Sequence, residues 1–213
     1  MVAITIANFM DRPEKLAAAQ GQMSRVTTSQ SLYEREMIQR AQNMDEGALA
    51  WLYQVYYPKI YNYALVQLGD VAMAEDLASS VMLKVLESLG NYKWRGVPFA
   101  AWAFRIARNQ IIDLHRRRKR RGEVDLDVAI ATNSDYDPQP MAELALERSR
   151  IQAALLTLTD DQRQVVVLKF IEGFDNGSIA KILGRSEGAI KSLQHRALLS
   201  LRRHLSQDAE AGA

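Results

Sequence analysis

Apolar residues recur at three- and four-residue intervals along nearly the whole chain, and that period predicts helices rather than strands. Ser31 and Glu34 stand at capping-box spacing and predict the start of a first helix. Asp45 is placed to cap a second, running through Trp51, Leu52, Val55, Tyr56 and Ile60. Pro58 is expected to kink that helix or end its first half, because proline lacks the N–H that an interior turn needs. Ala74, Leu77, Val81 and Val85 mark one face of a third helix over 71–88. Gly90-Asn91 breaks it, and a loop from Asn91 to Pro98 carries Tyr92, Trp94 and Gly96. A fourth helix is expected from near Pro98, a favoured first-turn position, into the basic run HRRRKRR at 115–121.

From Gly122 to Gln139 the period dissolves into Asp, Asn, Ser and Pro, the composition of a flexible linker. Helical character returns around 141–157. Thr159 to Gln162 repeats the capping-box spacing, ahead of a helix carrying Val165, Val166, Leu168 and Phe170. Gly173, Asn176 and Gly177 are expected to break the chain. Two short helices, near 178–183 and 187–204, then flank Gly184-Arg185-Ser186. The fold class that follows is all-α: two helical domains joined by a flexible acidic linker, the second containing a helix-turn-helix. Residues 31–121 form the first domain, 122–140 the linker and 141–213 the second; residues 1–30 are an amino-terminal extension of unknown role.

Charge sharpens this division. Residues 1–121 hold 17 Lys/Arg against 11 Asp/Glu, residues 122–147 hold 7 acids and no base, and residues 148–213 hold 10 bases against 7 acids. Two basic blocks thus flank an acidic connector, and the six consecutive Lys/Arg residues at 116–121 suggest a polyanion as partner without implying sequence specificity. The chain has no cysteine, which removes disulfides, thiolate nucleophiles and cysteine metal sites. No apolar run approaches the roughly 20 residues that span a bilayer, and MVAITIANFM lacks the basic flank of a signal peptide, so a cytoplasmic protein without membrane insertion is expected.

The last two helices have the chemistry of a DNA reader. Ile179, Ala180, Ile182 and Leu183 give the first an apolar face, Gly184 supplies the reversal, and Ser186 caps the second. The second helix buries Ile190, Leu193, Ala197 and Leu201 and turns Lys191, Ser192, His195 and Arg196 outward. A helix seated in the major groove needs such donors for base edges and phosphates. Spacing alone leaves DNA binding and a plain pair of packed helices equally open.

The stretch LLTLTDDQRQVVVLKFIEGFDNGSIAKILGRSEGAIKSLQHRAL resembles the carboxy-terminal DNA-binding domain of bacterial sigma factors of the extracytoplasmic-function (ECF) group. The shared features are Leu155 to Leu158, Asp161-Gln162-Arg163, Val165 to Phe170, Ile179 to Ser186 and Lys191 to Ala197. The resemblance implies reading of the −35 promoter element by Arg185, Lys191, Ser192, His195 and Arg196. Leu193 replaces an Arg often found there, implying a lost contact. Two further stretches, AEDLASSVMLKVLESL and FAAWAFRIARNQIIDLHRRRKR, resemble the amino-terminal domain of the same factors. The first then implies docking on core RNA polymerase through Asp76, Leu77, Val81 and Lys84, with Ser79 and Met82 departing from the family's Gln and Phe. The second implies melting of the −10 element, with Asn109 matching the family asparagine that contacts a captured base.

Melting without ATP has a physical requirement. Unstacking costs roughly 0.6–2.2 kcal/mol per base step, and the protein must recover it by holding flipped bases and backbone. Tyr92 and Trp94 offer stacking surfaces, Asn109 an amide, and Arg105, Arg108, Arg116 and Arg117 are placed to neutralise phosphates. Phe99, Trp102 and Ile106 share a helical stripe and are read as core. The expected partners are core RNA polymerase and promoter DNA, with an anti-sigma factor as a further one in many members of the group. No cofactor and no small-molecule substrate is expected. An enzyme is disfavoured because His115, His195 and His204 stand far apart and there is no Gly-rich phosphate loop. The nearer rival is a helix-turn-helix activator working beside an intact polymerase holoenzyme, which would have no use for the first block.

Overall fold

A computed structural model describes residues 32–94, 97–121 and 153–211, with side chains as far as residue 204. The extension, Ser31, Gly96, the linker and residues 141–152 lie outside the described residues. No strand occurs among those described.

The first block is built from four helices whose ends are set by local chemistry. Helix α1 spans 32–42. Asp45 then caps α2 (Glu46–Leu68), its carboxylate accepting the Ala48 N–H at 2.8 Å. That hydrogen bond, followed by those from the Arg40 guanidinium at 3.2 Å, holds the Asp45 carboxyl below its usual range. Gly69 closes α2 at φ +70°, a conformation glycine adopts without a side-chain clash. Asp70 caps α3 (Val71–Ser88) through the Met73 N–H at 2.7 Å. A single 3-10 turn (Leu89–Asn91) leads to the loop, and α4 runs from Phe99 to Arg121.

Pro58 does not end α2, which continues for ten residues beyond it. Both Pro58 and Gln54, whose carbonyl loses its partner, are exposed, so water can replace the missing hydrogen bond. Leu52, Tyr56, Ile60 and Tyr63 keep the inner face of α2 buried on either side of the proline.

The second block starts with a helical turn at 153–156, α5. Thr159 and Gln162 form the expected reciprocal box at the start of α6 (Asp160–Val166). The helix then widens into a π-turn over Val167–Ile171, in which Glu172 N–H reaches the Val167 carbonyl at 3.0 Å. Gly173 breaks the chain at φ +73°, but Asn176 and Gly177 do not. They form the first turn of α7 (Asn176–Leu183), because Asp175 accepts both the N–H and the hydroxyl of Ser178 at 2.8 Å and starts the helix there. Gly184 reverses the chain at φ +64°, and α8 runs from Glu187 to Ala211, longer than its sequence pattern suggested.

The two blocks share one apolar core. Phe99, Phe104 and Ile111 of α4 belong to the same buried cluster as Val165, Leu168, Ile179 and Ile190 of the second block. Helix α4 packs against α7, and the Phe104 and Phe174 rings meet edge-on at 5.2 Å. A smaller cluster, including Leu155, Val166, Ala197 and Leu201, fastens α5 and α6 to α8.

Candidate nucleic-acid interface

Three exposed faces and one seam result from this packing. The first face is on α8. Ser186 caps it through the Ala189 N–H at 3.3 Å. Ile190, Leu193, Ala197 and Leu201 are all buried, which turns Lys191, Ser192, His195 and Arg196 to solvent on the opposite side. Arg185 is exposed in the turn and pairs with Asp161, so its charge is already partly matched. Leu193 is 8% exposed and packs in the core. The missing arginine is therefore explained by packing, since the position looks inward here.

The second face is on α4. Arg105 and Asn109 are exposed one turn apart, and Arg116 continues the same side of the helix with Asp113 at 3.8 Å. Arg117 is exposed beside a groove that also contains Asp76 and Gln110. Together with Lys119, Arg120 and Arg121, these side chains make the end of α4 a strongly positive rod.

The loop residues behave differently from expectation. Tyr92 is buried: its hydroxyl donates to the Val97 carbonyl at 2.9 Å and its ring packs against Phe99 and Trp102. Burial, the main cause, pushes its hydroxyl up to about 12. This ring supports the site from beneath and has no face free for a base. Trp94 is half-buried against Tyr92, with the Arg35 guanidinium 5.9 Å above its ring. Trp102 and Ile106 are half-buried and Phe99 fully so, as their shared stripe suggested. Asn109 lies seven residues beyond Trp102, or about 10 Å along the helix, so the rings and the amide flank the site rather than touch. Gln42 of α1, which no motif singled out, fixes this loop by donating to the carbonyls of Leu89 and Tyr92 at 2.9 and 2.8 Å.

The third face is on α3. Asp76 and Lys84 are exposed, Lys84 pairing with Glu87 at 3.2 Å. Leu77 and Val81 are 7% and 0% exposed and form part of the core, so neither can meet a partner here. The apolar groups this face does present are Leu83 and Leu86, 59% and 38% exposed. They fall off the buried stripe of α3, and that departure was the available signal.

The seam between the blocks is polar at its edge. Arg108 is tied across the seam by one nitrogen: its Nε donates to Gln164 Oε1 at 3.0 Å. Arg163, nearly fully buried, donates to the carbonyls of Leu155, Leu156 and Leu158 in its own block and to that of Gln67 in the other. Beside them Tyr63 Oη and Gln67 Nε2 are buried with no protein partner, an arrangement that costs about 1–3 kcal/mol for each group. Among the described residues no group of three or more His, Asp or Glu stands together as a metal site, and no helix is long and apolar enough to cross a membrane.

Comparison with known proteins converges on one family. The Sigma-70 region 2 model matches residues 52–121 and the Sigma-70, region 4 model matches residues 148–201. Over 175 residues the chain is 33% identical to the ECF RNA polymerase sigma factor BldN of Streptomyces coelicolor, a match covering 82% of this chain and 66% of that protein. It is 33% identical over 170 residues to the ECF RNA polymerase sigma factor SigX of Bacillus subtilis, covering 75% of this chain and 84% of SigX. Among solved structures, the sigma factor RpoE of Bartonella quintana, in complex with the anti-sigma factor NepR, superposes with a TM-score of 0.61 at 27% identity, covering 74% of this chain and 96% of that one. CnrH in complex with the cytosolic domain of CnrY gives a TM-score of 0.63 at 23% identity, covering 82% and 98%, which bears on the fold alone.

Proposed function

The chain belongs to the ECF sigma factors of RNA polymerase, and we propose that it joins core polymerase, recognises the −35 and −10 promoter elements and directs transcription initiation through the three faces of α8, α4 and α3. The carrying observation is that α8 turns Lys191, Ser192, His195 and Arg196 outward while α4 of the same chain exposes Arg105 and Asn109. One face suits a duplex and the other a separated strand.

The duplex face works by inserting α8 in the major groove. Lys191 and Arg196 supply charge for phosphates or guanine edges, and Ser192 and His195 supply neutral donors and acceptors. Arg185, at the amino-terminal end of the helix, takes a phosphate once Asp161 releases it. The α4 face works on the opened strand. Asn109 presents both a donor and an acceptor to the Watson–Crick edge of an unstacked base, with Arg105, Arg116 and Arg117 along its backbone. Trp94 is the ring placed to stack on a base, and Tyr92 holds the loop beneath it. On α3, Leu83 and Leu86 form the apolar centre of a polymerase contact, with Asp76 and Lys84 at its rim. In this role the protein performs no chemistry, needs no cofactor and works in the cytoplasm; binding energy alone offsets the cost of strand opening. An anti-sigma factor would act by covering the α3 face.

Run-off transcription with purified bacterial core polymerase over a promoter library, comparing the native chain with Asn109→Ala, tests the reading. Promoter-specific transcripts that weaken with the substitution support it. Sequence-specific DNA binding without any transcript would overturn it in favour of an activator beside holoenzyme.

A further inference from the structure

Helix α1 (32–42) precedes the stretch matched by region 2, which begins at residue 52, yet it meets the turn and loop that lead to α4 at two points. At one, Gln42 donates to the carbonyls of Leu89 and Tyr92 at 2.9 and 2.8 Å. At the other, the Arg35 guanidinium stands 5.9 Å from the centre of the Trp94 ring, over its face. Seven residues are two helical turns, so the two side chains leave the same face of α1 about 10 Å apart. Ile38, between them on that face, is buried. Helix α1 therefore fixes the loop through Gln42 and overhangs it with Arg35.

The overhang has room for a third layer. Arg35 is exposed, so the Trp94 face beneath it is one that solvent, and an unstacked base, can reach. Among the described residues no carboxylate pairs with Arg35, which leaves its charge to an incoming strand. Bases stack about 3.4 Å apart, so a base lying between an indole and a guanidinium needs about 7 Å. The gap of 5.9 Å reaches that after a movement of about 1 Å at the tip of a long side chain. Both planes accept purines and pyrimidines alike, so together they would hold a base without reading it.

We propose that Arg35 is the outer jaw of a base clamp: a captured −10 base lies between its guanidinium and the Trp94 ring, with Gln42 holding the loop at the required height. The proposal rests on the sigma-factor reading of α4. Arg35 then sets how long the melted strand is held, and Asn109 sets which sequence is held.

The test uses holoenzyme reconstituted from the full chain and core polymerase, on a promoter selected by run-off transcription. The decay of open complexes under competitor is timed on intact DNA and on templates with an abasic site at each non-template −10 position in turn. On intact DNA, Arg35→Ala should shorten the lifetime about five- to tenfold, whichever base is captured. At one abasic position there is no base to clamp, and there Arg35→Ala should cost nothing further; elsewhere its full cost should persist. Arg35→Lys keeps the charge without the plane and should recover only part of the lifetime. An Arg35→Ala lifetime equal to the native one would overturn the clamp. So would an equal cost at every abasic position, the mark of a loop brace, or full recovery with lysine, the mark of a phosphate contact. If the native chain forms no open complex on any template, the sigma-factor reading itself falls and the clamp with it.

Discussion

Arg163 Nη1 donates to the Gln67 carbonyl at 3.1 Å, joining residues 96 apart in sequence. The same guanidinium closes the end of α5 by donating to Leu155 O at 3.0 Å and Leu158 O at 3.2 Å. Arg163→Met should therefore lower stability by about 3 kcal/mol, since several buried carbonyls lose their donor together. Arg163→Lys keeps the charge without the planar fork and should cost about half as much. Urea unfolding with an unchanged m-value checks both.

On α3, two leucines six residues apart should respond in opposite ways. Leu83→Asp changes an exposed side chain, so stability should move by no more than about 0.5 kcal/mol. Its affinity for core polymerase should fall about tenfold or more, as for a central apolar anchor. Leu77→Asp places a charge in the core and should unfold the first block. Circular dichroism and a polymerase-binding titration, run side by side, separate the two effects.

Asn109→Ala removes an exposed amide and should leave the melting temperature unchanged. A bidentate base contact is worth about 1–3 kcal/mol, so open-complex formation should fall roughly five- to a hundredfold. Permanganate footprinting of the −10 region reads this directly. A premelted template should restore most of the loss.

The α8 face predicts a salt signature. Lys191→Ala and Arg196→Ala should each weaken binding to −35 duplex, and each should reduce the slope of log K against log salt by about 1 if the side chain meets a phosphate. Fluorescence anisotropy at several salt concentrations distinguishes this from a base contact, which would relax sequence preference instead.

Glu172 predicts a pH dependence. Burial raises its carboxyl to about 7, with Lys59 opposing the shift. A raised acid binds its proton more tightly in the folded state, so the stabilisation is fully present below about pH 4.5 and is lost as pH rises towards 7. Glu172→Gln should flatten that window. Thermal unfolding between pH 4.5 and 8, compared with the native chain, checks the slope.

Local chemistry made much of the fold legible. The caps at Asp45, Thr159 and Ser186 and the reversal at Gly184 each depend on residues a few positions apart, and each is found where spacing placed it. The buried stripe of α8 was equally readable. On α3, periodicity and family resemblance disagreed. The stripe Ala74, Leu77, Val81, Val85 already placed Leu77 and Val81 inside, whereas motif position suggested a contact surface, and the stripe prevailed. Tyr92 illustrates the opposite difficulty, since an aromatic residue in a loop gives no sign of which ring will be used as support. The bonds Arg108–Gln164 and Gln42–Leu89 span 56 and 47 residues and follow from tertiary packing, for which no local pattern exists.

The edge-on meeting of Phe104 and Phe174 also limits how such proteins can be recombined. A chimaera that takes its −10 reader from one family member and its −35 reader from another separates a matched pair of rings, even when the crossover point in the sequence falls in the polar connector between them. Aromatic pairs of this kind are worth about 0.5–1.5 kcal/mol beyond their buried area. The exchangeable unit is therefore larger than the DNA-reading helix: it includes whichever ring the other half has been shaped to meet.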